Sequence, residues 1–383
     1  MKQKQRGEKA KAQEPEYTWG EAPGGQPEVL WEHSARPLWA QVVAERDGVL
    51  LMEKERLVFR RVSTGKVLWE DAARDLPDEL ASDGEGLLFA WGNHLEARDL
   101  ESGKVRWRQR PGGPITGMAL APDMVFASTK GPLFALNRAD GRQRWRATCA
   151  WEPELGFYGE AGLLVVDDPE TETIRALNAE TGTPLWDYSA QGQPVVAGPL
   201  AAGALLVSGH AAGLAAVDVA SGEVRWQLAT DRAFETPAVV AGETIIATDG
   251  IIHALEAETG AVLWERKLED EEDGVFTLRL HHGTLYAETW RGRLLALNPQ
   301  DGALRWECRP GQVHSLTGDA QTLYLRIHLT EPVGRWGVAA LRQDTGELLW
   351  ELHARRMVPD ITLVGGVLAV ELKTQVLALA VGS

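Results

Sequence analysis

Ala176-Leu177-Asn178-Ala179-Glu180-Thr181-Gly182-Thr183-Pro184-Leu185-Trp186 holds the pattern on which the rest of this chain is built. Its core, a Ser, Thr or Asp followed by Gly, three residues and Trp, occurs eight times, ending at Trp69, Trp107, Trp145, Trp186, Trp226, Trp264, Trp306 and Trp350. Successive members stand 38 to 44 residues apart. A scarce residue type is not spaced so evenly without a structural repeat, and the repeat overrides the two or three domains that 383 residues would otherwise suggest.

Outward from each tryptophan the units read alike. A short apolar run comes first, such as Val49–Met52, Leu87–Ala90 or Met124–Ala127, and a second follows within about ten residues, such as Leu133–Leu136 or Leu294–Leu297. The polar turn and the Trp strand close the unit. Its glycine supplies the positive φ that a tight hairpin needs. No segment sustains a 3.6-residue apolar period, so helices are expected to be scarce. One such unit cannot bury its own faces; stacking units radially buries both faces of each sheet. The expectation is an all-β fold, a closed β-propeller of four-stranded antiparallel blades, with the indoles wedged between blades as packing groups.

The chain ends bear on closure. After Trp350 come two apolar runs, Val367–Val370 and Val376–Leu379, and no further Trp strand. Near the start, Glu28-Val29-Leu30-Trp31-Glu32 matches Lys66-Val67-Leu68-Trp69-Glu70, with Pro27 in place of the turn glycine. Trp31 lies 38 residues before Trp69, so the strand around it is expected to complete the last blade. Counting then gives nine blades, with eight the alternative. Residues 28–383 form one propeller domain on this reading, and residues 1–27 a polar, disordered tail.

The unit resembles the pyrroloquinoline-quinone (PQQ) type repeat of the quinoprotein alcohol dehydrogenase-like propellers, whose tryptophan docking motif runs Ala-x-Asp/Asn-x-x-Thr-Gly-x-x-x-Trp. Residues 176–186 fit it fully; Ala135…Asn137…Trp145 and Ala296…Asn298…Trp306 fit nearly as well. The resemblance covers about residues 28–383 and implies one of two branches. The dehydrogenases hold PQQ and a calcium or similar ion in the funnel, with an aspartate base and often an adjacent cysteine pair. A non-catalytic branch is similar to the lipoprotein that helps assemble outer-membrane barrels. Fold alone does not choose between them.

The dehydrogenase branch makes demands this chain does not visibly meet. It has no Cys-Cys, is far shorter than those enzymes, and offers no Glu, Asn and Asp set that can be matched to the ion site. No catalytic residue, cofactor or metal is therefore expected, with PQQ and calcium as the alternative. His281-His282 would point to opposite faces of a strand, and exposure to solvent is the economical reading of the other histidines. Glu269-Asp270-Glu271-Glu272-Asp273-Gly274 starts like an EF-hand loop, but the closing glutamate would fall at Leu280, so a solvated charge run is expected. Gly-x-Ser-x-Gly, P-loop and His-Glu-x-x-His patterns do not occur. Cys149 and Cys308 lie about four repeats apart, too far round a ring for a disulfide.

A net charge of −16 and a pI near 5.1 argue against a nucleic-acid surface. No stretch approaches the 18 apolar residues of a membrane span. Residues 1–27 show neither an apolar signal core nor a lipoprotein-type cysteine, so a cytoplasmic location is expected, with a periplasmic one only if the precursor starts elsewhere. The ring is expected to be a monomer that acts as a non-enzymatic protein-interaction scaffold, the alternative being a PQQ-dependent or other small-molecule-binding enzyme with its site in the central funnel. Loops on the end carrying the inter-blade connections would bind a protein or peptide. The candidate face is Trp91, Arg108, Arg110, Trp151, Arg232, Phe234, Trp290 and Arg291, because exposed Trp and Arg dominate interaction hot spots. A blade edge, notably that of the long hairpin around Leu329–Trp336, is a second place where a partner strand could pair.

Overall fold

The computed structural model describes residues 16–381 except 22–23, 35–37, 44–46, 54–55, 73–76, 83–85, 149–152, 169–170, 191–192, 210–212, 271 and 330–333. Thr173–Asn178 and Pro184–Ser189 form the hairpin of the defining motif. Asn178 Oδ1 accepts hydrogen bonds from the Thr181 amide at 2.9 Å and hydroxyl at 3.0 Å, and the Gly182 amide donates to the Asn178 carbonyl at 2.8 Å. The same side-chain turn recurs at Asp99/Ser102 and Asp218/Ser221. An Asx side chain followed three residues later by Ser or Thr thus closes the turn locally.

Ala176 stands opposite Trp186 while Leu177 stands opposite Pro184, so Leu185 is an extra, bulged residue. The same register shift occurs at the Trp strand of all nine blades. A bulge increases local twist and re-aims the next side chain. Here it turns the indole toward the neighbouring blade and leaves residues such as Leu185 and Leu263 outside.

The indole then docks one blade further on. Trp145 Nε1 donates to the Ala179 carbonyl at 2.9 Å, and seven others do likewise, from Trp31 to Val62 through Trp306 to Gln343. The ring lies on the turn glycine: a Cβ on Gly182 would sit 2.5 Å from Trp145 Cε3. This glycine therefore serves two needs, a φ of +69° and room for the tryptophan of the preceding blade.

Nine antiparallel sheets result, and nine apolar clusters each join consecutive blades. The blade count is nine, not eight. Middle strands are sandwiched on both faces, which is why Met124–Thr129, Ala204–Gly209 and Val367–Leu372 are buried throughout. Among the described residues the helical structure is a single 3₁₀ turn, Gly159–Ala161. Glu28–Ser34 pairs antiparallel with Gln375–Ala380 and completes the ninth blade, and Val49 and Leu51 of the first blade pack on Val367 and Ala369 of the ninth. Closure is as expected from Trp31. The stretch expected to be an unstructured tail nevertheless contributes Tyr17–Trp19, a fifth strand on the outer edge of the eighth blade. Its two aromatic side chains find an apolar surface to cover there.

Candidate functional site

Connections between blades and turns between second and third strands share one end of the ring. The structure sorts the candidate residues on this end into two groups four blades apart.

The first group lies at blades 2 and 3. Trp91 is half-buried, stacked on Phe89 at 4.8 Å and 15° and near His94. Arg108 is on the strand Val105–Gln109, and its exposed guanidinium is bound to Glu96. Glu96 is buried and also takes Arg98 at 2.5 Å, which reaches Asp71 of the first blade at 2.6 Å. Arg110 is exposed in the connection beyond. Trp151 and Cys149 lie outside the described residues; Cys308 is free and half-buried, and burial pushes its thiol up to about 12.

The second group, Arg232, Trp290 and Arg291, meets where the connection from blade 5 to blade 6 passes blade 7. Phe234 does not belong to its exposed surface. It is 1% exposed, packed with Leu214, Ala247 and Leu255 and with its ring 5.8 Å from His253. As the large apolar residue of its connection it anchors the loop, and burial wins over exposure.

Above that anchor runs a groove of about 520 Å³ lined by Thr230, Arg232, Asp249, His253, Lys267 and Asp273. It shares Arg232 and Asp249 with an adjoining hollow of about 360 Å³ walled by Glu235, Phe276 and Trp290. Trp290 is 54% exposed, and its ring lies over Gly274, where a Cβ would fall 2.6 Å from Cζ3. A Cβ on Gly250 would fall 2.8 Å from Arg232 Nη1 and 3.8 Å from Trp290 Cη2. Two bare glycines thus let the indole and the guanidinium converge. Among the described residues Arg232 has no carboxylate partner. Arg291, in contrast, is fastened to Asp270 at 2.9 Å and Glu272 at 2.5 Å.

The floor is polar and buried. His253 bridges Asp249 Oδ1 at 3.0 Å and Glu265 Oε1 at 2.8 Å, tying the turn of its blade to the outer strand. Burial raises the Asp249 carboxyl, but hydrogen bonds from the Ile251 amide, His253 and Thr230 outweigh it and hold it below the usual range. Asp273 accepts from the Gly274 and Arg291 amides and from Arg293 Nε at 3.0 Å; burial again raises it, and those bonds with that of Thr289 hold it low. The acidic run is therefore not simply solvated: Asp273 is buried and spends its oxygens on Gly274 beside it and on Arg291 and Arg293 of the blade 7 turn. Nor is His253 exposed. Its setting, Ile251-Ile252-His253-Ala254-Leu255, is a middle-strand apolar run, and that was the available signal.

A ring of bulged Trp strands docked on turns of Thr, Ser or Asp followed by Gly defines a PQQ-type repeat propeller. The chain belongs to the family described as outer membrane protein assembly factor BamB, whose family model matches residues 19–146, 92–248 and 248–382. Outer membrane protein assembly factor BamB of Yersinia pestis is 26% identical over 266 residues, 61% of this chain. The chain spans 66% of that relative's length. Among solved structures, BamB from Moraxella catarrhalis superposes with a TM-score of 0.55 at 16% identity, over 78% of this chain and 92% of that one. A quinohemoprotein alcohol dehydrogenase of Pseudomonas putida HK5 gives 0.54 at 14%, over 94% and 77%. These structural likenesses concern the fold. The relatives overturn the expected cytoplasmic location, since they are factors of outer-membrane protein assembly, work done outside the cytoplasm.

Proposed function

We propose that this chain is a non-enzymatic scaffold in outer-membrane protein assembly that holds a protein or peptide partner in the groove between blades 6 and 7. The observation that carries the reading is the exposed Trp290 beside Arg232, a cation without a carboxylate partner among the described residues, over two glycines and a rigid hydrogen-bonded floor. An aromatic anchor and an uncommitted arginine on a rigid frame are what a recognition hot spot requires. No cofactor is needed on this reading. Absorbance of bound quinone and dye reduction after reconstitution with PQQ and calcium would replace it with the dehydrogenase alternative.

The test is cross-linking from a photoreactive residue at Lys267 in the native host, with the captured protein identified and its affinity measured with purified components. Trp290→Ala and Arg232→Glu are each expected to weaken that partner at least tenfold, about 1.4 kcal/mol or more, while Glu243→Lys on the opposite end leaves it unchanged. Unaltered affinity in both groove variants rejects the site.

A further inference from the structure

Eight docking tryptophans rest on the turn glycine of the following blade. Trp350 is followed by the blade whose outer strand comes from the N-terminus, so the chain enters there through Gly24-Gly25-Gln26-Pro27 with no crossing from a third strand. Tyr17–Trp19 covers the place. It runs antiparallel to the outer strand Leu348–Ala354, Tyr17 opposite Ala354, Thr18 opposite His353 and Trp19 opposite Leu352. Trp19 meets Trp350 edge-on at 5.9 Å and 79°, and Tyr17 meets Trp19 at 6.0 Å and 89°.

Main-chain bonds continue on both sides: the Arg355 amide donates to the Glu16 carbonyl at 2.9 Å, the Gly20 amide to Glu351 at 3.0 Å and the Gly24 amide to Leu349 at 2.9 Å. Both glycines are tightly seated. A Cβ on Gly20 would lie 2.3 Å from the Glu351 side chain, and one on Gly24 2.4 Å from the Leu349 carbonyl oxygen.

In length this edge differs from those of blades 1 to 7 and matches Glu28–Ser34 of blade 9. The outer strands of blades 1 to 7 are five or six residues long, and several place charged residues beside the tryptophan, as in Arg106-Trp107-Arg108 and Arg144-Trp145-Arg146. Charge at an edge discourages strand addition. Leu348–Ala354 has seven residues, with Leu352 and Ala354 buried.

We propose that the outer edge of blade 8 is a strand-acceptor site, filled in cis by Tyr17–Trp19. A partner's extended segment with aromatic residues at alternate positions followed by glycine takes the same place. Main-chain pairing supplies the attachment and alternate side chains supply the selectivity. Three paired residues make a short strand, and the tether through Gly24, Gly25 and Pro27 holds it mainly by high local concentration. A partner of matching pattern can therefore exchange with it. The site is separate from the groove and does not depend on it.

A chain beginning at Gln26 and a fluorescent peptide of residues 16–25 test this by anisotropy. The shortened ring is expected to bind the peptide at least tenfold more tightly than the full chain does. Trp19→Ala and Gly20→Val in the peptide should each cost tenfold or more, and an unrelated peptide of the pattern aromatic-x-aromatic-Gly should compete. A folded shortened ring that ignores the peptide, or binds it no better than the full chain, overturns the proposal. Should the shortened ring not fold, full-length Trp19→Ala serves. Hydrogen exchange at the Arg355 amide is expected to quicken at least tenfold and to be slowed again by added peptide; exchange unaffected by the substitution or by the peptide overturns the proposal equally.

Discussion

Gly103→Ala is expected to lower stability by about 3 kcal/mol, whereas Gly283→Ala lowers it by about 1 kcal/mol, although their φ values are +68° and +69°. Both substitutions carry the same left-handed backbone cost. They differ in what the new methyl meets. At Gly283 nothing lies within 4 Å; at Gly103 a Cβ would lie 2.5 Å from Trp69 Cδ2. Trp69 cannot step aside easily, because its Nε1 is bonded to the Leu100 carbonyl at 2.8 Å and its ring is stacked on Phe59 at 5.4 Å. Overlap in such a packed seam forces a backbone shift. Urea midpoints of the two variants against the parent measure the difference. Equal losses would mean that the glycine serves only the turn and that the docking account is wrong.

Stability is expected to fall by several kcal/mol as pH rises from 4.5 to about 8, with Glu371 responsible. This residue is 6% exposed on the second strand of the ninth blade; burial, and next the Asp360 charge, push its carboxyl up to about 8. A raised acid keeps its proton in the native state while the unfolded chain gives it up. The contribution of Glu371 is therefore fully present below 4.5, falls by about 1.4 kcal/mol per pH unit through the interval, and levels off above about 8. Asp167, pushed up to about 6 by burial and the nearby Glu154, adds to the slope at its lower end. His281 and His314, held below 6.5 by burial, oppose it there, so 6.5 to 8 is the clean window. Asp99, held at about 2, titrates well outside. Thermal midpoints of parent and Glu371→Gln across that window decide the matter. The variant should be flat, and a variant with the parental slope would assign the titration elsewhere.

The repeat was legible because its parts are local. Asn178 to Trp186 contains the turn, the bulge and the docking side chain within nine residues, so period and composition read directly as a blade. Trp31 was legible for the same reason, as a copy of the Trp69 strand without its preceding hairpin. Candidate site residues fared unevenly. Arg232 and Trp290, 58 positions apart, were both assigned to one end of the ring from loop position. Phe234 was placed there too and is buried, because loop position does not reveal which side chain anchors the loop. Asp249 and His253 went unnoticed, since their meaning lies in each other and in Glu265.

By itself the sequence determined the blade and the strand that closes the ring, since each rests on contacts within one unit or between successive units. Nine blades rather than eight was settled by the structure. Tertiary structure decided what the ring presents: Arg232 and Trp290 converging on Gly250, Arg291 neutralised by Asp270, and Tyr17–Trp19 covering Trp350. Those contacts join segments tens to hundreds of residues apart. They follow from how the blades twist and where each connection crosses, which no local pattern encodes.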